Sequence, residues 1–317
     1  MNVTKSTKLR TWRQVLVLLA LLSLPLAPPA FASDFAQIVF FGDSLSDPGN
    51  HFIAFGTTAR QPFVPIPDFP YAIGGHHFSN GATWTEQLAQ ALHMPRSGSP
   101  ALRAPGVFTN YAVGRARARP GAPAFRFYDL STQVGLFLSD FGGHASPDNL
   151  YVIWIGANDL RDALEALPTD PSGATSVGII QAAITAVAGN IEVLKAAGAR
   201  TFLILDVPNP AITPFVRRLG PGAQGVARFF TGVYNSALDE ALTSLEAPGI
   251  HFIRLDVNAL FDDIPPELNV EDSCLTFGVV AGAICATPNS YVFWDGIHPT
   301  TTGHAILAEA ALEALAP

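Results

Sequence analysis

A serine near one end of the chain and an aspartate–histidine pair near the other have the contexts that nucleophilic catalysis requires. Ser44 follows an apolar run that ends in Phe-Phe-Gly-Asp, and Asp295 and His298 stand three residues apart in Asp-Gly-Ile-His-Pro. A serine hydroxyl is a weak nucleophile until a histidine takes its proton, and the histidine needs a carboxylate to fix its tautomer and stabilise its charged form. We therefore predict a serine hydrolase in which Ser44 attacks, His298 is the base and Asp295 orients it.

Ser44 lies directly after the first predicted strand, at 38–41. Ligands of open α/β sheets bind at the carboxyl ends of the strands, which places this hydroxyl at a crevice. The residues after Ser44 are expected to begin a helix, whose N-terminal N–H groups favour developing negative charge. Taken alone, Asp43 and Ser44 fit equally well as a cap for that helix.

Two further sites follow predicted strands. Asn158 can donate its side-chain amide to an oxyanion, or can open the next element as an Asx turn or cap. Gly114 permits close approach of the backbone to a ligand, or a tight turn. A metal pair is the competing interpretation for Asp295 and His298, but no third and fourth ligand stand at a recognisable spacing, and His304 falls in a predicted helix. We predict no metal and no cofactor.

Apolar runs alternate with segments of helical spacing along most of the chain. The predicted strands are 38–41, 107–113, 150–155, 201–205 and 251–255, and the predicted helices are 83–92, 132–141, 178–197, 227–245 and 302–316. Such alternation is typical of parallel strands joined by crossover helices, and near-continuous apolar strands fit a sheet covered on both faces. The predicted fold is a three-layer α/β/α sandwich with a mostly parallel central sheet, in a single domain over residues 33–317.

Three segments rich in proline or glycine are expected to be irregular, at 57–78, 95–105 and 264–290. Long loops on an α/β scaffold commonly carry binding function. The first contains aromatic residues that we expect to line an acyl-binding groove, or alternatively to stack on sugars, namely Phe63, Phe69, Tyr71 and Phe78.

The first 32 residues have the pattern of a secretory leader. Basic residues precede an apolar run at 15–26 and a small-x-small cleavage site, Ala30-Phe31-Ala32. A membrane anchor fits less well, because about twelve apolar residues interrupted by prolines are too few to span a bilayer. We predict a signal peptide over residues 1–32, a secreted or periplasmic protein, and no later segment long and apolar enough for stable membrane insertion.

The two cysteines and the acidic net charge indicate the compartment and the partners that suit the protein. Cys274 and Cys285 are the only cysteines, and in an exported chain we expect a loop disulfide rather than free thiols or part of a metal site. The formal net charge is −8. An acidic chain with no dense Lys/Arg cluster is a poor candidate for nucleic acid or an anionic membrane surface, the stretch 115–119 being the one basic exception.

In their order and placement, these motifs resemble the four blocks of the GDSL, or SGNH, hydrolase family. The blocks are Gly42-Asp43-Ser44-Leu45, Gly114, Gly156-Ala157-Asn158-Asp159 and Asp295-Gly296-Ile297-His298-Pro299. Their flanks are similar to those of secreted bacterial lipases, lysophospholipases and acyltransferases. The resemblance implies a flavodoxin-like α/β/α fold, the triad already named, and an oxyanion hole formed by the backbone N–H groups of Ser44 and Gly114 and the Asn158 side chain.

One position departs from the family pattern. The second block of this branch usually reads Asn-Tyr-Ala-Val-Gly-Gly-Ala, and Arg115 stands where the second glycine is expected. If that glycine is the oxyanion donor, Arg115 must donate through its own backbone N–H, while its side chain would crowd the pocket or attract an anionic substrate group. For Arg117 and Arg119, a solvated side chain beside a turn fits at least as well as such a role in the pocket.

The resemblance implies a secreted serine esterase or lipase that hydrolyses carboxylic esters through an acyl-enzyme on Ser44, with lipid or lysophospholipid esters favoured. A carbohydrate acetylesterase, which the family also includes, is the alternative, and a non-catalytic binding module on the same scaffold is a third hypothesis. The expected partner is a small-molecule or lipid ester. We expect a monomer that binds no nucleic acid.

Overall fold

The computed structural model describes residues 35–56, 69–121, 128–261, 264–276 and 283–316. The predicted signal peptide lies outside these ranges. The central sheet consists of four parallel strands in chain order, β1 Ile38–Gly42, β2 Leu150–Trp154, β3 Thr201–Leu205 and β4 His251–Leu255. Every residue of β1 and β2 is buried, which is why these strands read as unbroken apolar runs.

Helices connect the strands and cover the sheet. They are α1 Asn50–Phe55, α2 Phe69–Ala72, α3 Trp84–Ala91, α4 Pro95–Gly98, α5 Leu130–Asp140, α6 Ala157–Ala166, α7 Ala174–Ala197, α8 Pro214–Arg218, α9 Pro221–Ser244 and α10 Thr301–Ala314. Several begin at a capping side chain: Thr83 and Glu86 form a capping box before α3, and the Thr300 hydroxyl accepts the Gly303 N–H at the start of α10.

The sheet is the middle of three layers, because alternate strand residues face opposite sides. On one face, residues such as Phe41 and Ile153 pack with α5, α6, α7 and α9. On the other, residues such as Phe40 and Val152 pack with α3 and α10. The predicted α/β/α sandwich with a parallel sheet is therefore confirmed.

The segment predicted as a strand at 107–113 lies beside β1 but forms only isolated bridges at Asn110, to Phe40 and to Pro100, within the described residues. Its backbone still pairs with β1, since the Tyr111 N–H donates to Phe40 O at 2.8 Å. The polar side chains of Thr109 and Asn110 bond to backbone oxygens, at Ile38 O and Ser46 O respectively. These side-chain bonds and the turn before Phe108 replace the regular strand that apolar composition suggested.

The segment 264–290 is more regular than predicted where it is described. Strand β5 Asn269–Ser273 pairs in parallel with β8 Tyr291–Phe293, and β6 Leu275–Thr276 pairs with β7 Ala283–Ile284. The predicted disulfide is confirmed: Cys274 and Cys285 are bonded, with their Cα atoms 4.8 Å apart. The Leu275 N–H donates to Trp294 O, so this hairpin is tied to the backbone just before Asp295.

The expectation that no segment after the leader is long and apolar enough to span a membrane is wrong for helix α7. With a mean hydropathy of 1.6 over an 18-residue window, it is long and apolar enough to cross a bilayer by length and composition. One stripe of the helix, including Ile180, Val187 and Leu194, is buried in the core against the sheet. Its apolar composition therefore serves packing in this fold.

Candidate active site

The structure brings together the three residues predicted to form the triad. Ser44 lies in the turn after β1, and the loop from Asp295 to His298 lies between β8 and α10. The Ser44 Oγ is 2.9 Å from His298 Nε2, and His298 Nδ1 is 2.7 Å from Asp295 Oδ2. Residues 254 positions apart thus form one hydrogen-bonded series at the carboxyl edge of the sheet.

The Asp295 carboxylate organises its own loop. Its Oδ1 accepts the backbone N–H groups of Ile297 and His298 at 2.9 and 2.8 Å. Burial alone raises the pKa of Asp295, but the charge of His298 and these hydrogen bonds outweigh burial and hold the pKa below its usual range. An ionised Asp295 requires the proton of a neutral His298 on Nδ1, which leaves Nε2 free to accept from Ser44.

Tyr71 is a fourth member of this network that sequence reasoning missed. Its hydroxyl donates to Asp295 Oδ2 at 2.8 Å, on the same oxygen that His298 contacts. Tyr71 is buried and packs with Trp294 and the cysteines of the disulfide. The buried ring of Phe78 lies 5.2 Å from the imidazole of His298. Both aromatics thus support the triad from within, rather than lining an open acyl groove as we predicted.

Phe63, also predicted for that groove, lies outside the described residues. Phe69 begins the short helix α2. The expectation that segment 57–78 contains no regular element is therefore wrong at 69–72.

The turn that carries Ser44 is held by Asp43 and not by a helix. Asp43 Oδ1 accepts the Leu45 N–H at 3.0 Å, and the Ser46 N–H donates to Asp43 O at 3.1 Å. The next helix, α1, begins only at Asn50. The prediction that a helix starts directly after Ser44, with its dipole beneath the nucleophile, is therefore wrong.

Gly114 does not fit its predicted role as oxyanion donor. Its single backbone N–H donates to Asp47 Oδ2 at 2.7 Å, and Asp47 also accepts the N–H groups of Gly49, Asn50 and His51. What the glycine supplies is space, because a Cβ at this position would lie 2.2 Å from a ring carbon of Phe78. Gly114 is therefore a packing requirement of the site.

Arg115 occupies the conformation that the family's usual glycine suits. Its φ is 69°, in the left-handed region that side chains other than glycine rarely adopt. Its carbonyl accepts from Arg117 Nη1 at 3.1 Å. On the following residue, Ala116 O accepts from Asn158 Nδ2 at 3.0 Å, so the predicted oxyanion amide lies against this turn with a second N–H still to donate.

Arg117 and Arg119 are ion-paired and not solvated. Arg117 makes a two-pronged contact with Asp162, at 2.6 and 2.7 Å. Arg119 pairs with Asp162 as well, and its Nε lies 3.3 Å from Asp159 Oδ1. Both aspartates belong to α6, the helix whose first turn carries Asn158. These pairs tie the turn after Gly114 to the helix that positions the Asn158 amide.

Buried acids lie beneath the nucleophile. Burial raises the pKa of Asp43 to about 7 and that of Asp159 to about 6. The negative charge of Asp159 also contributes to the raised pKa of Asp43. Asp43 Oδ2 is buried without a hydrogen-bond partner among the described residues. Burial raises the pKa of Asp47 to about 6 despite its four N–H donors. These carboxylates pin the backbone around Ser44 at an electrostatic cost.

His304 lies in the first turn of α10 and is buried. Burial lowers its pKa to about 3, so the ring is neutral at physiological pH. Within the described ranges, no group of three or more histidine, cysteine, aspartate or glutamate side chains is arranged to hold a metal ion. In the described geometry, Asp295 contacts His298, and His298 contacts Ser44.

An α/β/α sandwich with a hydrogen-bonded serine, histidine and aspartate at the carboxyl edge of its sheet is typical of ester hydrolases. The sequence model of the GDSL-like lipase/acylhydrolase family matches residues 38–311. The chain therefore belongs to this family of carboxylic-ester hydrolases.

Similar proteins come from bacteria and plants. A thermolabile hemolysin of Vibrio parahaemolyticus is 27% identical over 302 residues, which cover 87% of this chain but only 63% of the hemolysin. A GDSL esterase/lipase of Arabidopsis thaliana is 28% identical, with 90% of this chain and 93% of the plant protein covered. Among solved structures, an acetylxylan esterase of Geobacillus stearothermophilus aligns with a TM-score of 0.47 and 15% identity, covering 89% of this chain and 94% of the esterase.

Proposed function

We propose that the protein is an exported serine esterase that hydrolyses acyl esters of lipids or lysophospholipids through an acyl-enzyme on Ser44. The observation that carries the proposal is the series from Ser44 Oγ to His298 Nε2 and from His298 Nδ1 to Asp295 Oδ2, at 2.9 and 2.7 Å. These are the distances at which a base takes a proton from a nucleophile while a carboxylate fixes its tautomer.

In acylation, Ser44 Oγ attacks the ester carbonyl carbon as its proton passes to His298 Nε2. The imidazolium then gives that proton to the leaving alcohol as the ester C–O bond breaks. In deacylation, water attacks the acyl-enzyme, loses a proton to the same nitrogen, and the acid leaves as Ser44 Oγ recovers its proton. Asp295 stays ionised throughout and stabilises the imidazolium.

For the oxyanion we propose three donors: the backbone N–H groups of Ser44 and Arg115, and the side-chain amide of Asn158. Arg115 replaces Gly114 in this role, because the Gly114 N–H already donates to Asp47. The left-handed φ of Arg115 supports the assignment, since strain of this kind gathers at functional sites. Losing one such donor typically costs about 2.7–4 kcal/mol in the transition state.

A lipid ester is the substrate we favour. The hemolysin and the plant esterase/lipase are named for membrane lysis and lipid hydrolysis, and exposed apolar side chains such as Ile297 and Phe215 lie beside the catalytic loop. A carbohydrate acetylesterase is the competing activity. A substrate panel of acetyl esters, longer acyl esters, lysophospholipids and acetylated xylan separates the two, and a strict preference for acetate would overturn the lipid assignment.

Ser44→Ala tests the catalytic role directly. We expect turnover of a short acyl ester to fall to background while Tm and the far-UV spectrum stay unchanged, and covalent labelling by a fluorophosphonate to be lost. Ser244→Ala, at the exposed end of α9, is the matched control and should behave as wild type. Absence of labelling in the folded wild-type protein would instead favour a non-catalytic binding module.

Export is supported by the leader pattern of residues 1–32 and by the disulfide, a bond that persists in oxidising compartments. N-terminal sequencing of protein recovered outside the cytoplasm is expected to begin at residue 33. Recovery of the full-length chain in the membrane fraction would contradict cleavage.

A further inference from the structure

Five large apolar side chains project from the surface around α8, the start of α9 and the catalytic loop. Phe215, Leu219 and Phe229 are 54%, 61% and 64% exposed, and Val226 and Ile297 are 39% and 42% exposed. Phe215 and Leu219 are four residues apart, and Val226 and Phe229 are three apart, so each pair shares one side of its turn. We call these five residues the apolar patch.

Arginine is the only charged residue type in the segment that carries most of this patch. Between residues 207 and 238 there is no aspartate or glutamate, and there are three arginines, Arg217, Arg218 and Arg228. Arg217 lies 3.9 Å from Glu271. Arg218 and Arg228 are exposed and form no ion pair with any residue in the described ranges. The segment itself therefore carries a net positive charge, in a chain whose net charge is −8.

The apolar patch adjoins the catalytic loop. The Phe215 N–H donates to Gly296 O at 2.9 Å, and a Cβ built on Gly296 would lie 3.3 Å from Phe215 Cβ and 3.9 Å from Arg218 Nη2. Gly296 stands between Asp295 and the exposed Ile297, two residues before His298. A ligand surface that binds the apolar patch would therefore lie close to His298, the base of the triad.

We propose that the apolar patch and its arginines dock the enzyme on an anionic phospholipid surface. The phenylalanines and Leu219 enter the boundary between headgroups and acyl chains, while Arg218 and Arg228 contact lipid phosphates. The proposal extends the lipid-esterase function and rests on it for its substrate, because docking at this depth brings acyl esters to Ser44.

This proposal departs from the expectation drawn from net charge. Net charge sums the whole surface, whereas a bilayer interacts with charges within about one Debye length, about 8–10 Å at physiological salt. Arg218 and Arg228, which form no ion pair within the described ranges, therefore attract an anionic bilayer even when carboxylates elsewhere dominate the total.

Cosedimentation with vesicles tests docking apart from catalysis. Vesicles of ether-linked phosphatidylcholine, with or without ether-linked phosphatidylglycerol, carry no acyl ester. The enzyme cannot hydrolyse them, so binding can be measured with the unmodified wild-type enzyme. We expect stronger partitioning onto the anionic vesicles, weakened by salt. Arg218→Gln with Arg228→Gln should lower partitioning onto them by about 30-fold, since each cation contributes about fivefold.

Phe215→Ser with Phe229→Ser should lower partitioning onto both kinds of vesicle by at least about 100-fold. Val177→Ser with Val193→Ser, two exposed valines of α7, is the matched control and should bind as wild type. Turnover of a soluble short acyl ester is measured on every variant and is expected to stay within about twofold, because surface substitutions change stability little.

Docking is overturned if wild-type protein does not bind anionic vesicles or if the patch variants bind as tightly as wild type. It is also overturned if the valine control loses as much vesicle binding as the patch variants. A concentration-dependent dimer that the phenylalanine substitutions abolish, with no vesicle binding, would assign the patch to an interface between copies and also overturn it. The two proposals fail separately: vesicle binding without any ester turnover refutes the esterase function, and turnover without vesicle binding refutes docking.

Discussion

Replacing Tyr71 with phenylalanine removes one hydroxyl and tests how the triad is held. That hydroxyl donates to Asp295 Oδ2 at 2.8 Å, and the same oxygen receives His298 Nδ1 at 2.7 Å. Without the donor, the carboxylate charge is shared among fewer hydrogen bonds and attracts the imidazolium more strongly. We therefore expect the acidic limb of the activity profile to move to higher pH.

The size of the shift in the acidic limb follows from the strength of the hydrogen bond that is lost. A hydrogen bond to a charged group contributes about 1.5–3 kcal/mol, and 1.36 kcal/mol corresponds to about one pH unit. If the lower figure reached the imidazolium in full, the acidic limb of kcat/KM would move up by about one unit, and the upper figure sets a bound of about two. The plateau kcat should fall less than about tenfold, because Asp295 retains the Ile297 and His298 N–H groups.

The assay is kcat/KM for a soluble acyl ester across the acid range, with Tm measured in parallel. Tyr111→Phe is the control, since its hydroxyl donates to Asp140 Oδ2 at 2.7 Å on the outer side of the core. Both variants should lose some stability, and only Tyr71→Phe should move the acidic limb. An unmoved limb in Tyr71→Phe, or equal shifts in both variants, would refute the reasoning.

Three further predictions follow from packing, cross-linking and buried charge. Gly114→Ala should lower Tm and kcat/KM, because its Cβ would lie 2.2 Å from Phe78, whereas Gly135→Ala, a position with open space in α5, should leave both unchanged or raise Tm. Serine at both cysteines removes a short-loop cross-link and should cost about 3 kcal/mol in urea unfolding; an unchanged midpoint would contradict this. Burial raises the pKa of Asp43 to about 7 from 3.8, so its contribution to stability is present below the unfolded value and lost as the pH rises through 7. Asp43→Asn should therefore flatten the fall in unfolding free energy between about pH 4 and 7, and an unchanged slope would show that Asp43 does not hold a proton.

Local pattern was enough to predict the sheet. The runs at β1, β2 and β3 are apolar because both faces of those strands are covered, whereas β4, at the edge of the sheet, is only partly buried. Prediction failed where polar side chains bond to the backbone. At 107–113 the side chains of Thr109 and Asn110 bond to backbone oxygens, and helix α6 was not predicted because its first residues fit caps and turns equally well.

The site was predictable only where its residues have distinctive neighbours. Ser44, Asp295 and His298 lie in recognisable motifs, and the structure brings them together. The contacts that support them join residues far apart in the chain, such as Tyr71 to Asp295 across 224 positions. Gly114 was mistaken for a donor because nothing in its own motif reveals that Asp47, 67 residues earlier, occupies its N–H. Long-range partners of this kind have no periodic signature.

The split of the triad along the chain has a consequence for biosynthesis. The nucleophile follows β1, whereas the base lies 254 positions later in the chain, on a loop held between β8 and α10. A ribosome-bound or translocating chain therefore has its serine long before it has a base, and a C-terminally truncated chain never acquires one. Synthesis order alone therefore delays a complete triad until the loop between β8 and α10 has been made.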